Sequence, residues 1–278
     1  MAANLPIPDD SEFWHDPEFP ELESRRSCQE ISCYRPHAHQ RFSMGIIDEG
    51  ETKFTGHDGQ QATLVPGDVI VIPRDHLHAC NPKNGYWRYQ MIHADQSWIS
   101  RLAPIPAQDL FWGIRIFRVP ELYELMNDFN QQLFAGMERR SVEQSLGSML
   151  SVVQGLAPVF EALPPGIGPG DARLLPVLQR LGNDAVAPQL GELALLAGLS
   201  KYQLIRLMHS STGFTPIAWR HNQLVNRSRE LLRSGASIAQ TAAELGFSDQ
   251  SHFHRVFRSH VAAAPGKYRA PLQYRSRP

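Results

Sequence analysis

The chain repeats itself near its C-terminal end. Leu204-Ile205-Arg206-Leu207-Met208 returns as Phe253-His254-Arg255-Val256-Phe257, and Pro216-Ile217-Ala218-Trp219-Arg220 returns as Pro265-Gly266-Lys267-Tyr268-Arg269, both 49 residues later. A constant spacing between look-alike segments means one supersecondary unit used twice, which restricts the fold of this region more than any local propensity. Each copy is expected to begin with a short helix. The first carries Leu190, Ala194 and Ala197 on its inner side, turns at Gly198 and hands over to Ser200 as cap of the next helix. The second is capped by Ser237, carries Ile238, Ala242 and Leu245 inward, turns at Gly246 and hands over to Ser248. Glycine suits both turns because it tolerates positive φ. Between the copies, IAWRHNQLVNRSRELLRSG predicts one long helix stopped by Gly235.

The outward side of the last helix shows what the unit is for. At about 100° per residue, Phe253, Val256 and Phe257 gather on one face, and Ser251, His254, Arg255 and Arg258 on the other. Two helices about a tight turn, the second presenting hydrogen-bonding groups, form the pattern of a helix-turn-helix that reads DNA. A long connector then holds two reading helices apart, as successive major grooves about 34 Å apart require. Charge points the same way. The whole chain has 27 Lys+Arg against 28 Asp+Glu, yet from Asp171 onward there are 14 basic and 6 acidic residues, net +8, leaving 13 and 22, net −9, before it. Only the back half is built to meet a polyanion. A solvated helix face accounts for isolated arginines but not for their duplication.

The segment from about 174 to 269 resembles the double helix-turn-helix domain of the AraC/XylS family of transcription regulators. The likeness rests on Ile238-Ala239, on Ala243-Glu244-Leu245-Gly246-Phe247-Ser248-Asp249-Gln250-Ser251, and on Phe253, Arg255, Phe257, Arg258, Pro265 and Tyr268-Arg269. It implies base-edge contacts from Tyr202, Gln203 and Arg206 in the first copy and from Gln250, Ser251, His254 and Arg255 in the second. Arginine grips guanine and glutamine grips adenine with paired hydrogen bonds, so the chemistry is apt. Arg220, Arg258 and Lys267 are expected to hold phosphates, which fixes register without reading sequence. Ile205 departs from this scheme, and the first reading helix is expected to discriminate less by hydrogen bonds than the second.

The front half reads as strands. From Gln29 to about Ala94, Phe42, Met44 and Ile46 alternate with Ser43, Gly45 and Ile47; Asp58-Gly59 and Asn84-Gly85 mark hairpin turns; Val69-Ile70-Val71-Ile72 is a buried strand. His37-Ala38-His39, Gly50, Pro66-Gly67-Asp68, Pro73 and His78 resemble the two motifs of the cupin fold, which implies a small jelly-roll barrel that senses an effector. Trp87, Tyr89 and Met91 share one strand face, alternating with Arg88, Gln90 and Ile92, and one of these faces looks inward. The effector site is expected at His37, His39, Arg41, Ser43, His78, Trp87 and Tyr89, around a small polar molecule. A metal-binding cupin adds a nearby glutamate, but that position falls near Ser43, and neither Ser43 nor Met44 supplies a carboxylate. No metal and no cofactor is assigned on this reading, although three imidazoles remain a conceivable transition-metal set. His57, His76 and His93 have no partner at suggestive spacing and are read as surface or loop residues.

The expected class is therefore α+β: a cupin-like β-barrel, a helical linker, and an all-α DNA-binding domain with two helix-turn-helix units. Its parts are a poorly ordered arm over 1–24, the cupin-like effector-binding domain over 25–118, a helical linker and dimerisation region over 119–163, a flexible linker over 164–172 and the DNA-binding domain over 173–272. In the linker region Leu122, Leu125, Met126, Phe129 and Leu133 follow helical spacing, as do Val142, Leu146, Met149, Leu150, Val153 and Phe160. No apolar run reaches membrane-spanning length, and Cys28, Cys33 and Cys80 show no paired metal spacing, so a reducing cytoplasm is expected. The expected partners are double-stranded promoter DNA, a small-molecule effector and a second copy of the chain; no catalysis is expected. The alternatives are a metal-dependent cupin enzyme with a helical appendage, and an architectural DNA binder without effector.

Overall fold

The computed structural model describes residues 10–30, 34–103, 109–163 and 171–269. Two units are defined by their internal contacts, Met1–Leu163 together with Gly266–Pro278, and Pro164–Pro265.

The first unit carries strands β1 (Asp10–His15), β2 (Leu22–Glu30), β3 (Phe42–Glu49), β4 (Thr52–Gly56), β5 (Gln61–Leu64), β6 (Val69–Ile72), β7 (His78–Pro82), β8 (Tyr86–Ala94), β9 (Ile114–Phe117) and β10 (Phe160–Ala162). A larger sheet runs β1-β2-β8-β3-β6-β9-β10 and a smaller one β5-β4-β7. Helices α1 (Gln96–Leu102), α2 (Pro120–Phe134) and α3 (Arg139–Gln154) complete the unit.

Register decides what each face of the large sheet meets, because residues directly opposite share a face. Met44 lies opposite Val71 on one side and Ile92 on the other, and these join Phe42, Ile46 and Val69 in the main apolar core. Leu122, Met126, Phe129 and Leu133 of α2 and Val142, Leu146, Met149, Leu150 and Val153 of α3 close that core from the other side. The opposite face carries Ser43, His93, Tyr89 and Trp87 together with Arg25, Ser27 and Gln29 of β2. One face is thus mainly apolar and helix-covered, crossed by a hydrogen-bonded chain of Ser24, Asn130 and Gln90, while the other carries polar and aromatic groups. Asp68 of the Pro66-Gly67-Asp68 turn is buried, accepts from the Val65 amide and takes both nitrogens of the Arg118 fork at 2.7 and 3.0 Å, which locks the entry to β6.

Three expectations change here. The arm over 1–24 is not loose from residue 10 onward: β1 pairs with β2 and buries Phe13, Trp14 and Phe19. Its prolines and acids disguise an edge strand whose aromatics anchor it; residues 1–9 lie outside the described residues. Leu125 is 42% exposed rather than core, and Phe160 belongs to β10, where the chain returns to pair with β9. Most of the expected 164–172 linker, 164–170, lies outside the described residues.

The second unit holds α4 (Leu175–Asn183), α5 (Leu190–Leu196), α6 (Lys201–Thr212), α7 (Pro216–Arg233), α8 (Ile238–Glu244) and α9 (Gln250–Val261); of α10 (Pro265–Arg269) only Pro265 counts with it, the rest with the first unit. Leu174, Val177, Leu181, Leu193, Ala194, Ala197, Leu204 and Met208 form the core of the first copy. In the second copy Phe247, Phe253 and Phe257 pack in sequence, tilted and then edge-on, with ring centres 5.1 and 5.5 Å apart. α7 is the single long helix expected, 18 residues and about 27 Å long.

The duplication is geometric as well as sequential. α6 and α9 begin and end 49 residues apart, and both stop at a left-handed residue, Gly213 and Ala262. α5 and α8, however, begin only 48 apart. The second turn, 245–249, is one residue longer than the first, 197–200.

Candidate nucleic-acid interface and effector cleft

That extra residue corrects one cap. Ser200 caps α6 as expected, accepting from the Gln203 amide while the Gln203 side chain accepts from the Ser200 amide. In the second copy Asp249, not Ser248, caps α9, accepting from the His252 amide at 2.7 Å. Backbone hydrogen bonding to His252 holds the Asp249 carboxyl below its ordinary pKa, so the cap is charged at neutral pH.

Along α6, Tyr202, Gln203 and Arg206 are exposed, Tyr202 to 69%, and the Arg206 guanidinium lies over the Tyr202 ring at 5.7 Å. Along α9, Gln250, Ser251, Arg255 and Arg258 are exposed, His254 is half-buried, and Phe253, Val256 and Phe257 face inward. Each helix therefore offers one polar face with its first turns uppermost, the shape a major groove admits. Gln203 is partly committed, since its side-chain carbonyl accepts from the Ser200 amide in the capping box. Ile205 is half-buried, and Lys267 is exposed on α10.

Arg220 overturns its expected phosphate role. It is only 5% exposed and its guanidinium donates to the carbonyls of Leu181 and Ala185 at 2.9 and 3.1 Å. These carbonyls belong to the last turn of α4 and the loop beyond it, where helical partners run out. Arg220 is an internal strut between α4 and α7.

On the polar face of the first unit, the histidines converge. The ligand nitrogens of His37, His39 and His78 all lie within 4.8 Å of one another. An isolated antiparallel bridge between His37 and His78, with both amide-to-carbonyl distances 2.9 Å, sets two of the rings side by side. His93, read as a surface or loop residue, is buried on β8 with its ring 4.5 Å from that of His39, and His57 is buried as well. The strand alternation that placed Trp87, Tyr89 and Met91 on one face continues to His93, so period two was the overlooked signal. Ser43 contacts His93 Nδ1 at 2.7 Å. Burial lowers the His78 pKa to about 4, so this ring is a neutral imidazole at pH 7.

The neighbouring stretch is aromatic. Trp87 stacks on Tyr89 with centres 4.1 Å apart, and the Tyr34 and Tyr89 hydroxyls meet at 2.7 Å. The buried Arg25 guanidinium lies 5.2 Å over the Tyr89 ring, an inward cation that the sequence reading missed. Among the described residues, the buried Trp87 indole N–H has no hydrogen-bond partner. The Arg41 guanidinium donates to the Pro20 carbonyl at 2.8 Å.

Comparison with known proteins matches residues 193–271 to the helix-turn-helix domain family and residues 20–147 to the AraC-like ligand binding domain family. The arabinose operon regulatory protein of Salmonella typhimurium is 27% identical over 250 residues, spanning 85% of this chain and 86% of its own. Its Escherichia coli counterpart is 25% identical over 226 residues, 77% and 75% of the two chains. The crystal structure of ToxT from Vibrio cholerae shares the fold, with a TM-score of 0.56 at 13% identity over 90% of this chain and 97% of that one.

Proposed function

We propose, from the premise that this chain belongs to the AraC family of transcription regulators, that it reads promoter DNA through α6 and α9 under the control of a small molecule bound on the polar face of its first unit. The duplicated pair of helices with matching exposed faces carries this reading. Arg206, Arg255 and Gln250 read base edges; Tyr202, Gln203, Ser251 and His254 flank them; Arg258 and Lys267 hold phosphates.

The effector lies against Trp87 and Tyr89, where stacked rings offer a flat apolar wall and the Trp87 indole N–H awaits an acceptor. His37, His39, Ser43 and His78 orient its polar groups. Binding acts as a population shift, changing how readily both reading helices engage at once. The protein works in the cytoplasm as a homodimer paired through its first unit, without catalysis. Buried Cys28 and half-buried Cys80 are free thiols, in keeping with a reducing compartment.

Paired substitutions on α9 test the reading. Arg255→Ala is expected to cost about 1–3 kcal/mol at its preferred base pair and to relax specificity there, whereas Arg258→Ala weakens all sequences alike and lowers the salt slope by about 0.9. Binding isotherms on cognate and scrambled duplexes over a salt series separate the two. Equal losses on both duplexes for Arg255→Ala would remove it from the base-reading set.

A further inference from the structure

The helix-covered face of the large sheet opens into a second cleft, on the opposite side from Trp87 and Tyr89. Cross-strand pairing sets Arg26 opposite Gln90, and both line a cavity of about 940 Å³ together with Asp48 of β3 and Tyr123 and Asn127 of α2. That volume is ample for a small molecule.

Gln90 organises the floor of this cleft. Its side-chain amide donates to Asp48 Oδ1 at 3.1 Å and to Asn127 Oδ1 at 3.0 Å, and its carbonyl accepts from Asn130 at 2.6 Å. The Tyr123 hydroxyl donates to the same Asp48 oxygen at 2.9 Å. The pairing of β3 with β8 slips between Ile47 and Glu49, so Asp48 sits at a bulge, a device that re-aims a side chain. A satisfied polar network in a low-dielectric setting holds its members rigidly. What it holds here is a carboxylate whose Oδ1 is engaged and whose Oδ2 has no hydrogen-bond partner among the described residues.

Arg26 faces the same cavity. Its guanidinium lies 4.2 Å over the Phe134 ring and makes no hydrogen bond or ion pair among the described residues. Burial lowers the Arg26 pKa and raises that of Asp48, so both charges are short of water, and Glu12 and Asp48 act on the guanidinium only through space. Arg88, also on the cavity wall, is already matched by Glu49 at 3.4 Å. Two opposite charges therefore stay open to the cleft, on strands two apart in the sheet, about 10 Å between backbones. An anion alone would satisfy Arg26 and be repelled by Asp48; a cation alone would meet the reverse. A molecule carrying both charges satisfies the two together.

We propose that this cleft binds a zwitterionic amino acid, its carboxylate taken by the Arg26 fork and its ammonium by Asp48 Oδ2. The site is additional to the effector cleft and does not rest on that reading.

The test is a thermal-shift screen of the full-length protein against the common L-amino acids, followed by calorimetric titration of those that raise the melting temperature. At least one is expected to bind at one equivalent per chain. Its N-acetyl and carboxamide derivatives, which lack one charge each, are expected to bind about 10-fold or more weakly. Arg26→Gln and Asp48→Asn are expected to weaken binding of the free amino acid by a similar factor. Absence of binding by every member of the panel overturns the proposal, as does equal binding of the blocked derivatives. Undiminished binding by a folded Arg26→Gln variant overturns it too, because the molecule then sits elsewhere, the effector cleft included. If a variant unfolds, the derivative series on the parent chain decides alone. No DNA enters this assay, so its failure leaves the regulator reading standing.

Discussion

Gly246→Ala is expected to destabilise the second unit by about 3 kcal/mol, a large fraction of the roughly 5–15 kcal/mol that keeps a domain folded. Two separate costs add. Gly246 sits at φ +73°, where an L side chain costs about 1–2 kcal/mol. A Cβ there would also lie 2.2 Å from the Ala185 carbonyl oxygen, which is backbone and cannot rotate away. Gly198, the matching turn of the first copy, has φ +65° and nothing within 4 Å of a Cβ. Gly198→Ala therefore carries the conformational cost alone, about 1–2 kcal/mol. Calorimetry on both variants of the full chain isolates the contact as the difference between them. Equal shifts would show that the turn of the second copy does not rest on the α4–α5 loop.

Arg220→Ala is expected to cost about 3 kcal/mol of stability while leaving the salt slope of DNA binding by the folded fraction unchanged. Two charge-assisted hydrogen bonds are lost, each worth about 1.5–3 kcal/mol, and the Leu181 and Ala185 carbonyls lose their donor. Ala185 is also the residue that Gly246 approaches, so the two substitutions are expected to be non-additive, both loosening the same loop. A denaturant titration and a salt series on Arg220→Ala decide the matter. A stable variant with a salt slope reduced by about one would return Arg220 to the phosphate-binding set.

The second unit was legible in the sequence because duplication supplies its own check: two copies of a turn, a cap and an aromatic face agree or disagree. Two residues were misplaced all the same. Ser248 was given the cap as the serine that follows the turn, but the longer second turn hands it to Asp249. Arg220 was given a phosphate from the family resemblance. Its own helix carried the contrary signal, since Pro216, Arg220, Leu224 and Ser228 recur every four residues as one buried stripe.

The first unit was legible as strands and less so as a site. His37-Ala38-His39 and His78 announced themselves by spacing, whereas His93 enters the cluster through the register between β3 and β8, which brings it opposite Ser43. Period two along β8 put His93 on the same face as Trp87 and Tyr89, but its pairing with Ser43 across 50 residues has no local signature. Arg25 and Tyr34 were missed for the same reason, since each meets Tyr89 only through pairing between distant segments. The helix-covered face was more accessible, because apolar residues of α2 and α3 at helical spacing can only be covering something.

The central claim is that two reading helices engage one duplex together. Selection of bound sequences from a random DNA library by the full-length protein tests it most directly. The account predicts an enriched site of two boxes about one helical turn, 10–10.5 base pairs, apart, with Arg206→Ala relaxing one box and Arg255→Ala the other. A single enriched box, or a library that stays random at moderate salt, would contradict it.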